Sequence, residues 1–204
     1  MHKILFALII ATTAVAPASG ASLSRTFSYF SIGGNTLEEI EKQLDARGPH
    51  VRSTGRRHPG ATQMEFTTRI GYGEGKGRCR IVSADVRVKA KVILPRWRNR
   101  KSAEQDVRLI WDTLERDIKR HEESHLSIAK NYARKMERTL QKLRSMPTCA
   151  AMAQKAQETT RRVLAEHDAA QDRFDRIESK NFESRILRLL NYRLQQIQAG
   201  RLPG

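Results

Sequence analysis

The chain has 204 residues, and 38 lysines and arginines against 22 aspartates and glutamates leave a net charge of +16. That length suits one ordinary domain with a real core, and the charge favours anionic partners such as an acidic cell-envelope surface or an acidic protein substrate. The basic residues are spread over every segment with little aromatic interleaving and no nucleic-acid motif, so nucleic-acid binding is not expected.

Residues 1–21 have the three parts of a secretory signal peptide. Met1-His2-Lys3 is a short basic start, Ile4 to Ala16 is apolar, and Ser19-Gly20-Ala21 offers small residues for cleavage. The apolar run is too short to span a bilayer, which takes roughly 20 residues, and no other stretch comes closer. The reading is an exported protein, periplasmic or extracellular, mature from about Ser22 and without a transmembrane segment. Two cysteines, Cys79 and Cys149, are too few for a structural zinc site. In an oxidising compartment they read as a disulfide.

The mature chain, 22–204, is expected to be a single domain of the α+β class, with an α+β part over 22–100 and a helical part over 101–204. Thr26 to Ile32 reads as a strand broken by Gly33-Gly34. Thr36-Leu37-Glu38-Glu39 is a capping box that opens a helix running to about Ala46, and Gly48-Pro49 ends it. Residues 50–60 read as a mobile basic loop in which His50 and His58 are free surface histidines. Thr62 to Ile70 alternates apolar and polar residues, and Gly71, Gly73, Gly75 and Gly77 punctuate a hairpin turn. Val86, Val88, Ala90, Val92 and Leu94 recur with a period of two, the mark of a strand with one buried face. Pro95-Arg96-Trp97 is expected to stop it. The result is a small antiparallel sheet backed by one helix.

The second half is helical. From about Ser102 to Arg144, apolar residues from Val107 to Leu143 follow three-and-four spacing, and His121 and His125 fall on the same stripe. Ser145-Met146-Pro147-Thr148 breaks the pattern, with Thr148 as N-cap of a second helix from about Cys149 to Glu178. A last amphipathic helix covers Ser184 to Gln198.

His121-Glu122-Glu123-Ser124-His125 is an H-E-x-x-H motif inside the long helix. Positions i and i+4 share a helix face, so both imidazoles can close on one ion, and neutral imidazole suits zinc. Glu122 then projects beside the metal, where a carboxylate can take a proton from water and return it to a leaving amine. Two buried imidazoles need partners, which favours the metal reading. The third ligand is expected from the second helix: His167 first, with Asp172, Asp175 and Glu178 as alternatives. Tyr132 is a candidate oxyanion stabiliser or, more simply, a packing residue.

In order along the chain stand Phe30 followed by Gly34 and Leu37, Gly48-Pro49, Cys79, Leu94-Pro95-x-Trp97, Trp111, His121-Glu122-x-x-His125, Cys149 and Phe174-Asp175. On these residues, from about Phe27 to Glu178, the chain resembles the bacterial family known as domain of unknown function 922, described as predicted secreted zinc-dependent proteases. The resemblance implies His121 and His125 as zinc ligands, Glu122 as the catalytic carboxylate, and the Cys79–Cys149 disulfide. The family's aromatic-Asp pair is followed shortly by His-Gly, whereas Phe174-Asp175 here leads into Arg176-Ile177-Glu178. The third ligand therefore falls to another residue, His167 being the natural candidate. The expected function is a zinc metallopeptidase acting on a protein or peptide. The alternative is a non-catalytic envelope protein that binds an anionic surface or partner.

Overall fold

A computed structural model describes residues 21–51 and 54–202; the expected signal sequence up to Gly20 lies outside them. The described residues form strands β1 (Ser22–Ile32), β2 (His50–Val51), β3 (Arg56–Arg57), β4 (Ala61–Gly75) and β5 (Arg78–Trp97). The helices are α1 (Leu37–Arg47), α2 (Gln105–Gln141), α3 (Cys149–Lys180) and α4 (Phe182–Gln198). The fold is α+β, as the sequence pattern predicts.

The long strand β5 organises the sheet, whose order is β1-β5-β4. β4 pairs with it antiparallel, but β1 runs parallel to it, Ser22 beside Arg87 and Ile32 beside Trp97, so the sheet is mixed. The hairpin turn is confined to Lys76 and Gly77, both at positive φ (52° and 68°), the conformation a two-residue turn between twisted strands demands. Gly71 and Gly73 lie within β4 instead of in the turn. A Cβ on Gly73 would come within 2.6 Å of Val82. The register shifts between Gly71 and Tyr72, and Val82 is the extra residue on β5. This bulge resets the alternation: Cys79 and Ile81 are buried before it, and Ala84, Val86, Val88, Ala90, Val92 and Leu94 after it.

Pro95 does not stop β5, which continues through Trp97 alongside Phe30 to Ile32. β4 has no partner for β5 beyond Ile93, and a strand with one neighbour tolerates a proline. Trp97 donates its indole N–H to the Gly34 carbonyl at 2.9 Å and packs against Trp111, with Ile32, Ile40 and Leu44 completing that cluster. The capping box at Thr36 is formed, and Thr148 caps α3 by accepting from the Ala151 amide.

Helix α2, about 55 Å long at 1.5 Å per residue, lies across the buried face of β5. Ala129, Ala133, Met136 and Leu140 pack there against Val86 and Val88, with Met152, Ala156 and Val163 of α3 closing the cluster. The linker between α2 and α3 is fixed to the sheet: Met146 and Cys79 exchange backbone hydrogen bonds of 2.8 Å, and Cys79 and Cys149 form a disulfide. Among the described residues no helix is long and apolar enough to cross a membrane.

Candidate metal centre

α2 and α3 run antiparallel, and their contacts step along both helices in reverse order. Lys135 meets Glu166, Tyr132 meets His167, His125 meets Gln171, His121 meets Asp175, and Arg120 meets Glu178. Docking therefore sets Asp175 beside both motif histidines. The His121 and His125 Nε2 atoms are 3.2 Å apart, and Asp175 Oδ1 lies 3.3 Å from the first and 3.2 Å from the second.

Those three ligand atoms make a nearly equilateral triangle. A tetrahedral ion with bonds of roughly 2.0 Å needs ligand atoms about 3.3 Å apart. Two imidazole nitrogens and one carboxylate oxygen at that spacing fit zinc in donor type and in size, and the group can hold a metal ion.

The surroundings fix how these ligands present themselves. Gln171 Oε1 is 2.7 Å from His125 Nδ1, so it accepts that N–H, and when the ring is neutral Nε2 is the lone-pair atom facing the triangle. The amide's orientation is set from its other end, where Nε2 donates to the His125 carbonyl at 3.3 Å and to His167 Nε2 at 2.8 Å. On His121, Nδ1 faces Glu178 at 3.6 Å. Phe174 stacks on the His121 ring, 5.0 Å between centroids, and meets His125 edge-on.

His167 stands outside the triangle. It is buried between Phe66 and Tyr132, with Nδ1 3.0 Å from Asp168 and Nε2 on Gln171. The docking does not bring His167, the expected third ligand, into the group; the third atom beside the motif histidines belongs to Asp175, one of the three carboxylates the sequence left open. The cause is register: His167 sits about two helical turns from Asp175 along α3, too far up the antiparallel pair to face His121. It reaches the site through Gln171 instead, as support for His125. Asp172 lines the cleft, and Glu178 backs His121 from behind. Tyr132 packs against the core and the His167 ring.

Glu122 is buried, at 4% exposure, on the floor of the cleft. Its Oε2 accepts a hydrogen bond of 2.8 Å from the Thr62 hydroxyl at the start of β4. Gly60 lies so close that a Cβ there would come within 2.8 Å of Glu122 Oε1 and 2.9 Å of Ile118. Burial pushes the Glu122 carboxyl up from its ordinary range, opposed by the Thr62 hydrogen bond and the two histidines. Burial also acts to raise Asp175, but hydrogen bonds from His121 and His125, with their charges, hold it well below the usual carboxylate range. His125 is shifted up: burial works against its charged form, and Asp175 and Gln171 outweigh it.

The cleft has a volume of about 840 Å³ and is bounded by the β2–β3 hairpin, the start of β4, α2, α3 and the start of α4. His50, on that hairpin, is exposed as expected, but the expectation of a free surface histidine is corrected for His58. His58 lines the cleft, half-buried, with Nε2 2.7 Å from the Thr54 hydroxyl. Burial lowers its pKa, with Asp175 pulling the other way. Sequence reasoning missed it, and no motif marks it.

An ion-pair cluster closes the other wall. Asp117 is buried and accepts from Arg120 at 2.9 Å and from Arg185 of α4 at 3.0 Å, and Arg120 also holds Glu178. Burial raises the Asp117 pKa, and the two guanidinium groups more than reverse it.

These features define an α+β protein with a helix-borne group of two histidines and one carboxylate on the wall of a deep cleft. The chain belongs to the family described as bacterial protein of unknown function (DUF922), whose model matches residues 27–182. The match takes in His121, Glu122, His125, Gln171, Asp175 and both cysteines. No curated protein and no solved structure matches the chain.

Proposed function

We propose that the protein is a zinc-dependent peptidase in which His121, His125 and Asp175 hold the ion and Glu122 moves the proton. The observation that carries this reading is the triangle of ligand atoms, 3.2 to 3.3 Å on each edge, with a buried carboxylate on the residue next to the first ligand. Zinc held there supplies polarisation of the peptide carbonyl and an acidified water. Glu122 takes the proton and passes it to the departing amine, and its raised pKa brings it toward the pH at which such a shuttle works best. Thr62 holds the carboxylate by one oxygen, and Gln171 keeps His125 in the ligating tautomer. The substrate is a peptide held in the cleft, and the net charge, +16 for the full chain and one less without Lys3 of the leader, draws acidic substrates. We read the chain as exported, since the leader-like first segment and the Cys79–Cys149 disulfide both suit an oxidising compartment.

The test is elemental analysis of the purified protein and three variants, followed by an assay on casein as an acidic, unfolded substrate. We expect about one zinc per chain, lost in His121→Ala and in Asp175→Ala and retained in His167→Ala, with casein cleavage following zinc content. Loss in His167→Ala with retention in Asp175→Ala would reassign the third ligand. A wild-type chain that takes up no zinc would end the peptidase reading.

A further inference from the structure

About four turns beyond Glu122 on α2, a second carboxylate is buried away from the cleft. Glu137 is 6% exposed. Its Oε2 accepts one hydrogen bond, from the backbone nitrogen of Ala21 at 3.0 Å, and its buried Oε1 has no partner among the described residues. Ala21 itself packs against the core cluster that contains Val86, Ala133 and Met136. A carboxylate held in such a place by a single amide N–H is a costly arrangement, because its charge is uncompensated and one oxygen is unsatisfied.

The residues before Ala21 explain how that cost is met. Ala18 and Gly20 are small residues at the two positions that leader cleavage requires, three and one before the cut. We propose that Ala21 is the first residue of the mature protein, and that its α-ammonium forms a buried ion pair with Glu137. Hydrolysis of the Gly20–Ala21 bond adds one water, leaving a carboxylate on Gly20 and the amine on Ala21. That amine is protonated at neutral pH, since an α-amino group ordinarily titrates near 8, at roughly 7.7–8.0. The nitrogen that sits 3.0 Å from Glu137 then carries three donors and a positive charge where the peptide had one donor and none. Oε2 keeps its donor and Oε1 gains one, so processing strengthens the tie between α2 and the head of β1. The expectation of a mature start near Ser22 moves by one residue, because a cut after Ala21 would discard the donor.

This inference rests on the export reading and is independent of the metal reading. The first test is the intact mass and N-terminal sequence of protein recovered from outside the cytoplasm of cells expressing the full chain. A start at Ala21 is expected. A start at Ser22 or beyond, or retention of Met1, overturns the pairing while leaving export intact, and recovery of the chain from the cytoplasm alone overturns both. The second test compares melting of chains that begin at Ala21 and at Gly20, each with and without Glu137→Gln. In the Ala21 chain the substitution should lower Tm by about 10 °C, and in the Gly20 chain by far less. Should Glu137→Gln fail to fold, the two unsubstituted chains decide: a higher Tm for the Ala21 start supports the pair, and equal values overturn it.

Discussion

Helix α2 brings His121, Glu122 and His125 to the cleft by its own periodicity, whereas α3 brings Gln171, Asp175 and Glu178 there only through the register at which it docks. The first set follows from five consecutive residues and the rise of a helix. The second depends on the linker at 142–148, on Cys149 and on everything that packs between the two helices. A metal group built this way has one half fixed by local geometry and one half fixed by the tertiary fold, and the halves should fail differently.

The largest effect belongs to α2. Glu122→Gln keeps the hydrogen bond to Thr62 within reach and leaves all three ligands untouched, so zinc content and Tm should hold while casein cleavage falls by about 10²- to 10⁴-fold. Turnover in the wild type should fall on the acid side as Glu122 takes up a proton, and that limb should vanish with the substitution.

Next in size is the wall that positions α3 and α4 against α2. Asp117→Asn takes from Arg185, largely buried, its closer carboxylate and leaves it Glu178 at 3.4 Å, and should cost about 3 kcal/mol, read as a Tm lower by about 10 °C. The sign with pH is definite. Asp117 has a lowered pKa when folded, so its contribution is present above the ordinary carboxylate value and lost as pH falls through the lowered one. The Tm gap between wild type and variant should therefore narrow only in acid.

The smallest effect separates ligation from support on α3 itself. Gln171→Leu removes the acceptor from His125 and the link to His167 but no ligand. Zinc affinity, measured by competition with a chromogenic chelator, should drop by about 10- to 100-fold, with little change in zinc content at saturation. If Gln171→Leu instead emptied the site as Asp175→Ala is expected to, the distinction between ligand and support on α3 would collapse.

Much of this molecule can be read from its residues, and the division follows the same line. The capping box at Thr36, the period-two run from Val86 to Leu94, the Thr148 cap and the inward placement of His121 and His125 are local patterns, and each appears as expected. The third member of the group, Asp175, is not local. Folding α2 and α3 back symmetrically about residues 142–148 would set His167 opposite the motif, and the observed register differs by roughly two turns. Met146 is hydrogen-bonded to Cys79 of β5, so the linker runs to the sheet before α3 begins. Pairing of β1 with the far half of β5 likewise carried the strand past Pro95, which no window around the proline foretells. His58 reached the cleft through two short strands whose pairing is too brief to leave a sequence pattern.

The disulfide has a further consequence for how the molecule is divided. Its loop encloses His121, Glu122 and His125 and leaves Asp175 outside, with the exposed Arg144 in the linker between them. A cut after Arg144 would yield two polypeptides, one carrying His121, Glu122 and His125, the other carrying Asp175, still joined through Cys79 and Cys149. The protein can thus be opened at its hinge without being released into parts, and reducing the bond in such a nicked sample would turn an intact centre into two incomplete halves.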